Sequence, residues 1–135
     1  MAHTPAEILE YTGTIATVGA SDDPDKAGHR IPIRLIRRGF HVIPINPTRK
    51  EVLGVTAYPD LASVPETIDT VQVFRPSEEA PEIARQAVVV GARALWLQEG
   101  ITSDEAREIA EAGGLDYVED QCMAVTTERL GITKG

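Results

Sequence analysis

Five short apolar runs occur along the chain, and segments with a helical pattern separate them. The runs cover residues 14–19, 40–45, 69–74, 93–98 and 115–119, and Gly, Pro or polar residues bound each of them. Continuous apolar runs of this length are typical of strands that are buried on both faces of a parallel sheet. The alternation of such strands with helices therefore predicts an α/β fold, in which helices cover both faces of a five-stranded parallel sheet.

Residues that favour helix ends place the predicted helices between these strands. We expect helices at about 28–38 and 78–90, and another after Ser103, whose hydroxyl suits an N-cap. Shorter helices are expected at 4–11 and 124–130. Right-handed crossovers and a reversal after the first strand predict a Rossmann-like, doubly wound sheet with the strand order 3-2-1-4-5. In that order, a ligand binds beyond the carboxyl ends of the strands, between the first and the fourth.

Composition and charge restrict the class of protein. No internal repeat or low-complexity tract divides the chain, so residues 1–135 are expected to form a single domain. The formal net charge of −8 disfavours nonspecific binding to nucleic acid or to anionic membranes. No apolar run approaches the roughly 20 residues that cross a bilayer, and residues 1–11 lack the apolar core of a signal peptide. With one cysteine, Cys122, these features predict a cytoplasmic protein and indicate no particular protein partner.

The end of the first strand has the layout of a phosphate-binding turn. Gly19 allows a sharp turn, and the backbone N–H groups that follow it, together with the start of the next helix, can face an anion. The turn departs from the G-x-G-x-x-G pattern of dinucleotide-binding domains, because Ser21 replaces the second glycine. Lys26 and Arg30 are either phosphate ligands or ordinary surface charges. The residues of this predicted phosphate site are Gly19, Ala20, Ser21, Lys26, His29 and Arg30.

The end of the second strand indicates which nucleotide the site prefers. Dinucleotide-binding domains usually place Asp or Glu there, where the carboxylate binds the ribose hydroxyl groups. This chain has Asn46 and Pro47 instead, followed by the cations Arg49 and Lys50. Because cations replace an acid, the sequence favours a ligand with an additional phosphate over NAD.

Residues suited to catalysis or to metal binding are scattered along the chain. Three histidines and one cysteine at unrelated positions do not form a metal site, and no spacing predicts an acid–base or nucleophilic group. We therefore assign no catalytic residue. Cys122 follows the fifth strand and is either a packed, inert thiol or a reactive thiol that faces the ligand. The neighbouring Glu119 and Asp120 favour the inert form, because they oppose formation of a thiolate.

Several motifs together resemble one family. They are Val-Gly-Ala-Ser-Asp-Asp-Pro (18–24), Gly-His-Arg (28–30), Val-Ile-Pro-Ile-Asn-Pro (42–47), Val-Phe-Arg-Pro (73–76), Leu-Trp-Leu-Gln-Glu-Gly-Ile (95–101) and Asp-Gln-Cys (120–122). In this combination, which covers nearly the whole chain, the sequence resembles the small stand-alone CoA-binding proteins. That family is related to the N-terminal CoA-binding domain of the succinyl-CoA synthetase α subunit.

The resemblance implies coenzyme A as the ligand and a role for each strand end. The turn after the first strand would hold phosphates, and the cations after the second strand would flank the adenosine 3′-phosphate. The end of the third strand would bracket adenine or pantetheine, and the end of the fourth would follow the pantetheine arm. Beyond the phosphate turn, the implied site residues are Pro44, Asn46, Pro47, Arg49, Lys50, Val73, Phe74, Arg75, Leu97, Gln98, Glu99 and Gly100.

Two hypotheses about function follow from these features. The first is a module that binds CoA or an acyl-CoA as a sensor or carrier, without catalysis of its own. The alternative is an enzyme, either a small NAD(P)-dependent oxidoreductase or a subunit of a CoA-dependent transferase or ligase. The missing ribose-binding acid and the lack of a recognisable acid–base group in the sequence favour the first hypothesis.

Overall fold

The computed structural model describes residues 2–135 and contains a five-stranded parallel sheet between two layers of helices. The strands are β1 (Thr14–Val18), β2 (His41–Ile45), β3 (Glu51–Val52), β4 (Val55–Thr56), β5 (Thr70–Val73), β6 (Ala94–Leu97) and β7 (Asp116–Val118), of which β3 and β4 form a separate hairpin. The helices are α1 (Pro5–Tyr11), α2 (Ala27–Arg37), α3 (Ala80–Val89), α4 (Asp104–Ala112) and α5 (Met123–Leu130). Within residues 2–135, no helix has the length and apolar character needed to cross a membrane.

Two apolar layers, one on each face of the sheet, hold the helices in place. On one face, α1, α2 and α5 bury side chains such as Leu9, Leu35 and Met123 against the strands. On the other face, α3 and α4 pack through small residues such as Ala84 and Ala106. Complete burial of one large aliphatic side chain stabilises a fold by about 1.5–3 kcal/mol. The predicted α/β class, with helices on both faces of a parallel sheet, is confirmed.

The predicted strand order is wrong. The sheet runs β2-β1-β5-β6-β7, which is 2-1-3-4-5 when its strands are numbered along the chain, instead of 3-2-1-4-5. Pro44 explains the difference, because proline has no N–H for a ladder hydrogen bond and is tolerated only at a sheet edge. Accordingly β2 is the edge strand, with Pro44 opposite Thr17 of β1. All four residues of β5 are buried, and β5 pairs with β1 on one side and β6 on the other.

The observed order also moves the crevice where ligands bind. In a doubly wound sheet the crevice forms at the switch point, where the connections leave neighbouring strands in opposite directions. Here that point lies between β1 and β5, the first and third strands, and not between the first and fourth. The loop after β5 begins beside β1, since the Phe74 N–H donates to the Val18 carbonyl oxygen at 2.9 Å.

Candidate functional site

A cleft of about 890 Å³ opens beyond the carboxyl ends of β1, β2 and β5. Its near wall is the turn after β1 with the start of α2, and its far wall is the first part of α3 with the 3-10 turn Ser77–Glu79 that precedes it. The sequence-predicted residues that line it are Gly19, Ala20, Ser21, Lys26, Asn46, Pro47, Phe74 and Arg75. Residues of the lining that sequence reasoning missed include Pro59, Asp60, Glu78, Glu82, Ile83 and Gln86.

Two glycines shape the near wall. Gly19 has φ +91°, and a Cβ atom there would lie 3.1 Å from Arg75 Cδ and 3.2 Å from Phe74 Cβ. A Cβ atom on Gly28 would lie 2.5 Å from the Gly19 carbonyl oxygen. The first turn of α2 therefore packs directly on the backbone of the β1 turn. Glycines with these two roles, a sharp turn and a close helix–strand contact, are a feature of dinucleotide-binding sites.

Ser21 and His29 organise the turn between these glycines. The Ser21 hydroxyl accepts a hydrogen bond from the Asp23 N–H at 3.0 Å, and the Ser21 N–H donates to the Gly28 carbonyl oxygen at 3.1 Å. His29 Nδ1 donates to the Ser21 carbonyl oxygen at 2.9 Å. Lys26 is the N-cap of α2, and its side chain makes no capping hydrogen bond within residues 2–135. The start of α2 thus meets the cleft without a side-chain cap, a geometry suited to an anion.

Asn46 holds the loop that follows β2. Its Oδ1 accepts hydrogen bonds from the N–H groups of Thr48 and Arg49, both at 3.0 Å. Its Nδ2 donates to the Ala20 carbonyl oxygen at 3.3 Å. Asn46 therefore joins the β2 loop to the turn after β1, and two backbone N–H groups occupy its side-chain oxygen. A ribose-binding acid at this position would have a free carboxylate instead.

Asp22, in the turn after β1, connects the same two loops. One carboxylate oxygen accepts from the Leu53 N–H at 2.8 Å, and the other from Arg49 at 3.1 Å. The contact stabilises the β3–β4 hairpin, which sequence reasoning missed. Leu53 and Gly54 have φ of 59° and 75°, typical of a two-residue hairpin turn. Leucine rarely adopts this conformation, so the turn had no sequence signature.

The far wall of the cleft is acidic and internally bonded. Arg75 donates to Glu79 through Nε at 3.1 Å and through Nη2 at 2.8 Å. These hydrogen bonds hold the pKa of Glu79 below its usual value. Glu82 accepts from Arg85 Nε at 3.0 Å and from Gln86 Nε2 at 3.2 Å, and these bonds likewise lower the pKa of Glu82.

The remaining sequence-predicted residues lie outside the cleft lining. Val73 and Leu97 are fully buried inside β5 and β6. Gln98 is also buried and accepts from the Met123 N–H at 2.9 Å, while Glu99 and Gly100 are exposed in the loop after β6. A role for these residues in ligand binding stays a prediction. The full group is His29, Arg30, Pro44, Arg49, Lys50, Val73, Leu97, Gln98, Glu99 and Gly100.

Cys122 and the possible metal ligands also lie apart from the cleft. Cys122 is half-buried at the start of α5 and packs against the apolar layer that contains α1, α2 and α5. That its thiol is inert stays a prediction. In the part of the chain that the structure describes, no three His, Cys, Asp or Glu side chains are grouped to hold a metal ion.

Comparisons with known proteins show the family and the fold. A family model described as a CoA binding domain matches residues 13–128. The uncharacterized protein YneT of Bacillus subtilis (strain 168) is 37% identical over 119 residues, which cover 88% of this chain and 88% of YneT. The structure of a hypothetical protein from Pyrococcus horikoshii OT3 superposes with a TM-score of 0.90 at 34% identity, and the match covers 95% of this chain and 92% of that chain.

A longer relative contains the same unit as one part of an enzyme. The ADP-forming acetate–CoA ligase I of Archaeoglobus fulgidus is 26% identical over 136 aligned residues. The alignment covers 93% of this chain but only 20% of the ligase. The chain therefore spans about a fifth of the length of that relative.

Proposed function

The chain belongs to the CoA-binding domain family, and from that membership we propose that it binds CoA or an acyl-CoA in the cleft, without catalysis of its own. The observation that carries the proposal is the contact between Gly28 and the Gly19 carbonyl oxygen, 2.5 Å from where a Cβ atom would be. It brings the phosphate turn and the uncapped start of α2 together at the cleft wall. Backbone N–H groups and the helix dipole there favour a pyrophosphate.

The adenosine 3′-phosphate is assigned to Arg49 or Lys50, on the loop beside the phosphate turn. Arg49 pairs with Asp22, but both side chains are well exposed, at 60% and 38%. An exposed ion pair of this kind contributes only about 0–1 kcal/mol. A phosphate dianion can therefore replace Asp22 as the partner of Arg49 at little cost.

The alternative of an NAD(P)-dependent oxidoreductase has weaker support. The Asn46 side-chain oxygen is occupied by two backbone N–H groups, so it does not serve as a ribose acceptor. A second candidate is a CoA-binding subunit of a CoA ligase, since the chain matches a fifth of such an enzyme. The ligase subunit and the non-catalytic module both predict CoA binding in the same cleft. We propose the cytoplasm as its location, as the composition predicts.

Calorimetric titration with CoA, acetyl-CoA, dephospho-CoA, NAD and NADP tests the proposal. CoA and acetyl-CoA should bind with micromolar or better affinity and more tightly than either nicotinamide dinucleotide. Dephospho-CoA should bind about tenfold more weakly than CoA or worse, since one charge-assisted hydrogen bond contributes roughly 1.5–3 kcal/mol. Absence of CoA binding at millimolar concentration would overturn the proposed function.

Substitutions separate the 3′-phosphate assignment from CoA binding itself. Arg49→Gln or Lys50→Gln should bring the affinities for CoA and dephospho-CoA close together. Arg129→Gln, a matched change at an exposed arginine of α5, should leave their ratio as in the wild type. If the wild-type protein binds CoA and dephospho-CoA with equal affinity, the cations after β2 do not bind the 3′-phosphate.

A further inference from the structure

The two sides of the sheet carry opposite charge. On one side, residues 27–38 and 123–135, which contain α2 and α5, hold six Lys or Arg residues and one acid, Glu128. On the other side, residues 77–89 and 104–112, which contain α3 and α4, hold seven acids and two arginines. We call these segments the basic surface and the acidic surface. A chain of net charge −8 thus concentrates its cations on one side.

The basic surface presents a row of arginines along α2. Arg30, Arg34 and Arg37 are separated by four and three residues, a spacing that places them on one face of the helix. Arg34 pairs with Glu128 of α5, whereas Arg37 forms no ion pair with any of residues 2–135. Arg129 of α5 is exposed and is likewise without an ion pair in that range. The guanidinium groups of Arg37 and Arg129 are therefore available to a partner.

The acidic surface presents a matching row along α4. Asp104, Glu108 and Glu111 have the same spacing of four and three residues, and all three are exposed. Across residues 2–135, no Lys, Arg or His pairs with any of them. Glu111 lies in the last turn of α4, where the helix dipole disfavours an acid. The stability of the helix itself therefore does not account for this row.

We propose that the basic surface of one copy of this chain binds the acidic surface of a second copy. The common spacing lets the charges of the two rows meet in pairs along about 10 Å of helix. Apolar area accompanies the charges, since Val125 of α5 is 46% exposed and Val89 of α3 is 82% exposed. Because the surfaces lie on opposite faces of the sheet, the contact joins copies head to tail. Neither row lines the cleft, so the contact is independent of CoA binding.

Sedimentation velocity at two salt concentrations tests the contact in the wild-type protein. At about 0.1 M salt the Debye length of about 10 Å screens the repulsion between the net charges of two copies but spares ion pairs in contact. The average mass should therefore rise with protein concentration up to roughly 1 mM. At about 1 M salt the Debye length is about 3 Å, and association should weaken about tenfold or more. A protein that stays monomeric at both salt concentrations, or associates equally at both, would overturn the proposal.

Charge reversal in the acidic row separates a specific contact from general repulsion. In Glu108→Lys with Glu111→Lys each substitution changes the charge by two units, so the formal net charge of −8 becomes −4. Weaker repulsion between copies would then increase association, whereas loss of the proposed contact should reduce it about tenfold or more. Lysine suits the end of α4, so the fold is retained. Association as strong as in the wild type, or stronger, would show that the acidic row is not the binding surface.

The reciprocal variant is Arg37→Glu with Arg129→Glu, and it should also be monomeric at about 0.1 M salt. In a mixture of the two variants, one intact basic surface can still meet one intact acidic surface, and the complex cannot extend. The mixture should therefore form a complex of one copy of each. Failure to form it would overturn the proposal, as would binding of polyglutamate by a wild type that does not self-associate, since another acidic chain is then the partner. None of the four positions lines the cleft, so both variants should keep the wild-type affinity for CoA.

Discussion

The two ends of the sheet use similar side chains in opposite ways. At the amino end, Asp116 accepts hydrogen bonds from the His3 N–H at 2.9 Å and the Tyr11 hydroxyl at 2.8 Å. Asp69 accepts from the Gly13 N–H at 2.8 Å. These carboxylates connect α1 and the start of β1 to the neighbouring strands. Their hydrogen-bonding capacity is used to hold the fold together.

At the carboxyl end, hydrogen bonds between the loops leave some polar groups without a partner among residues 2–135. The first turn of α2 has no side-chain cap. Asp60 and Gln86 line a cleft of about 890 Å³, and among residues 2–135 no donor bonds Asp60 Oδ2 or Gln86 Oε1. A polar group that the chain satisfies contributes to stability, whereas one that stays open toward a cleft is available to a ligand. Substitutions at the two ends should therefore separate loss of stability from loss of binding.

The largest effect is expected for Gly19→Val. Valine at φ +91° is strained by about 1–3 kcal/mol, and its Cβ would press on Phe74 and Arg75 at 3.2 and 3.1 Å. CoA binding should be lost and the fold weakened. The control is Gly114→Val, where φ is +82° but no heavy atom lies within 4 Å of the added Cβ. It should lower stability by strain alone and retain binding. Calorimetry measures the CoA affinity of both variants, and urea unfolding measures their stability. Normal CoA binding by Gly19→Val would mean that the phosphates bind elsewhere.

A smaller, purely structural effect is expected for Asp116→Asn. The variant loses the ionised acceptor of His3 and Tyr11, which should lower the free energy of unfolding by about 1–3 kcal/mol. CoA affinity should stay as in the wild type, because Asp116 is at the other end of the sheet. Urea unfolding and calorimetry measure the two quantities. A loss of CoA affinity without a loss of stability would contradict the division between the two ends.

The stability contributed by Asp116 should also depend on pH. Burial raises the pKa of Asp116, but hydrogen bonds from the His3 N–H, the Tyr11 hydroxyl and the His3 ring outweigh it, so the pKa lies below its usual value. A lowered pKa in the folded state means that the contribution is complete above the unfolded value of about 3.9 and is lost as the pH falls through the folded value. The difference between wild type and Asp116→Asn should thus be constant near neutral pH and shrink below about pH 4. A difference that grows on acidification would contradict this assignment.

The smallest effect is expected for Ser21→Ala. Its hydroxyl is one of several groups near the proposed phosphates, so its loss should weaken CoA binding only severalfold, or by about 1 kcal/mol, and leave the fold intact. Ser103→Ala gives the opposite pattern, because Ser103 caps α4 through the Ala106 N–H. That variant should lose about 1 kcal/mol of stability and no CoA affinity. Equal CoA affinities of wild type and Ser21→Ala would show that the hydroxyl does not contribute to the site.

Local features of the fold could be predicted because local interactions produce them. Thr4 caps α1 in a reciprocal pair with Glu7, and Ser103 caps α4, as their positions before helical patterns indicate. Asp60 likewise caps the 3-10 turn Leu61–Ser63. The sequence predicts a tight turn at Gly19, and the positive φ of +91° there is the conformation that glycine allows in such a turn.

The sequence by itself determined the five buried strands, the helices between them and the glycine turn after β1, because apolar periodicity, caps and backbone freedom act within a few residues. Only the tertiary structure decided that β5 lies beside β1, although Pro44 carried the signal for an edge strand. Strand order depends on pairing between segments that are distant in the sequence. The composition of the cleft depends on the same pairing. The pairing of β5 with β1 brings α3 to the cleft, gives Gln86 and Asp60 a common space, and leaves Leu97 buried away from it.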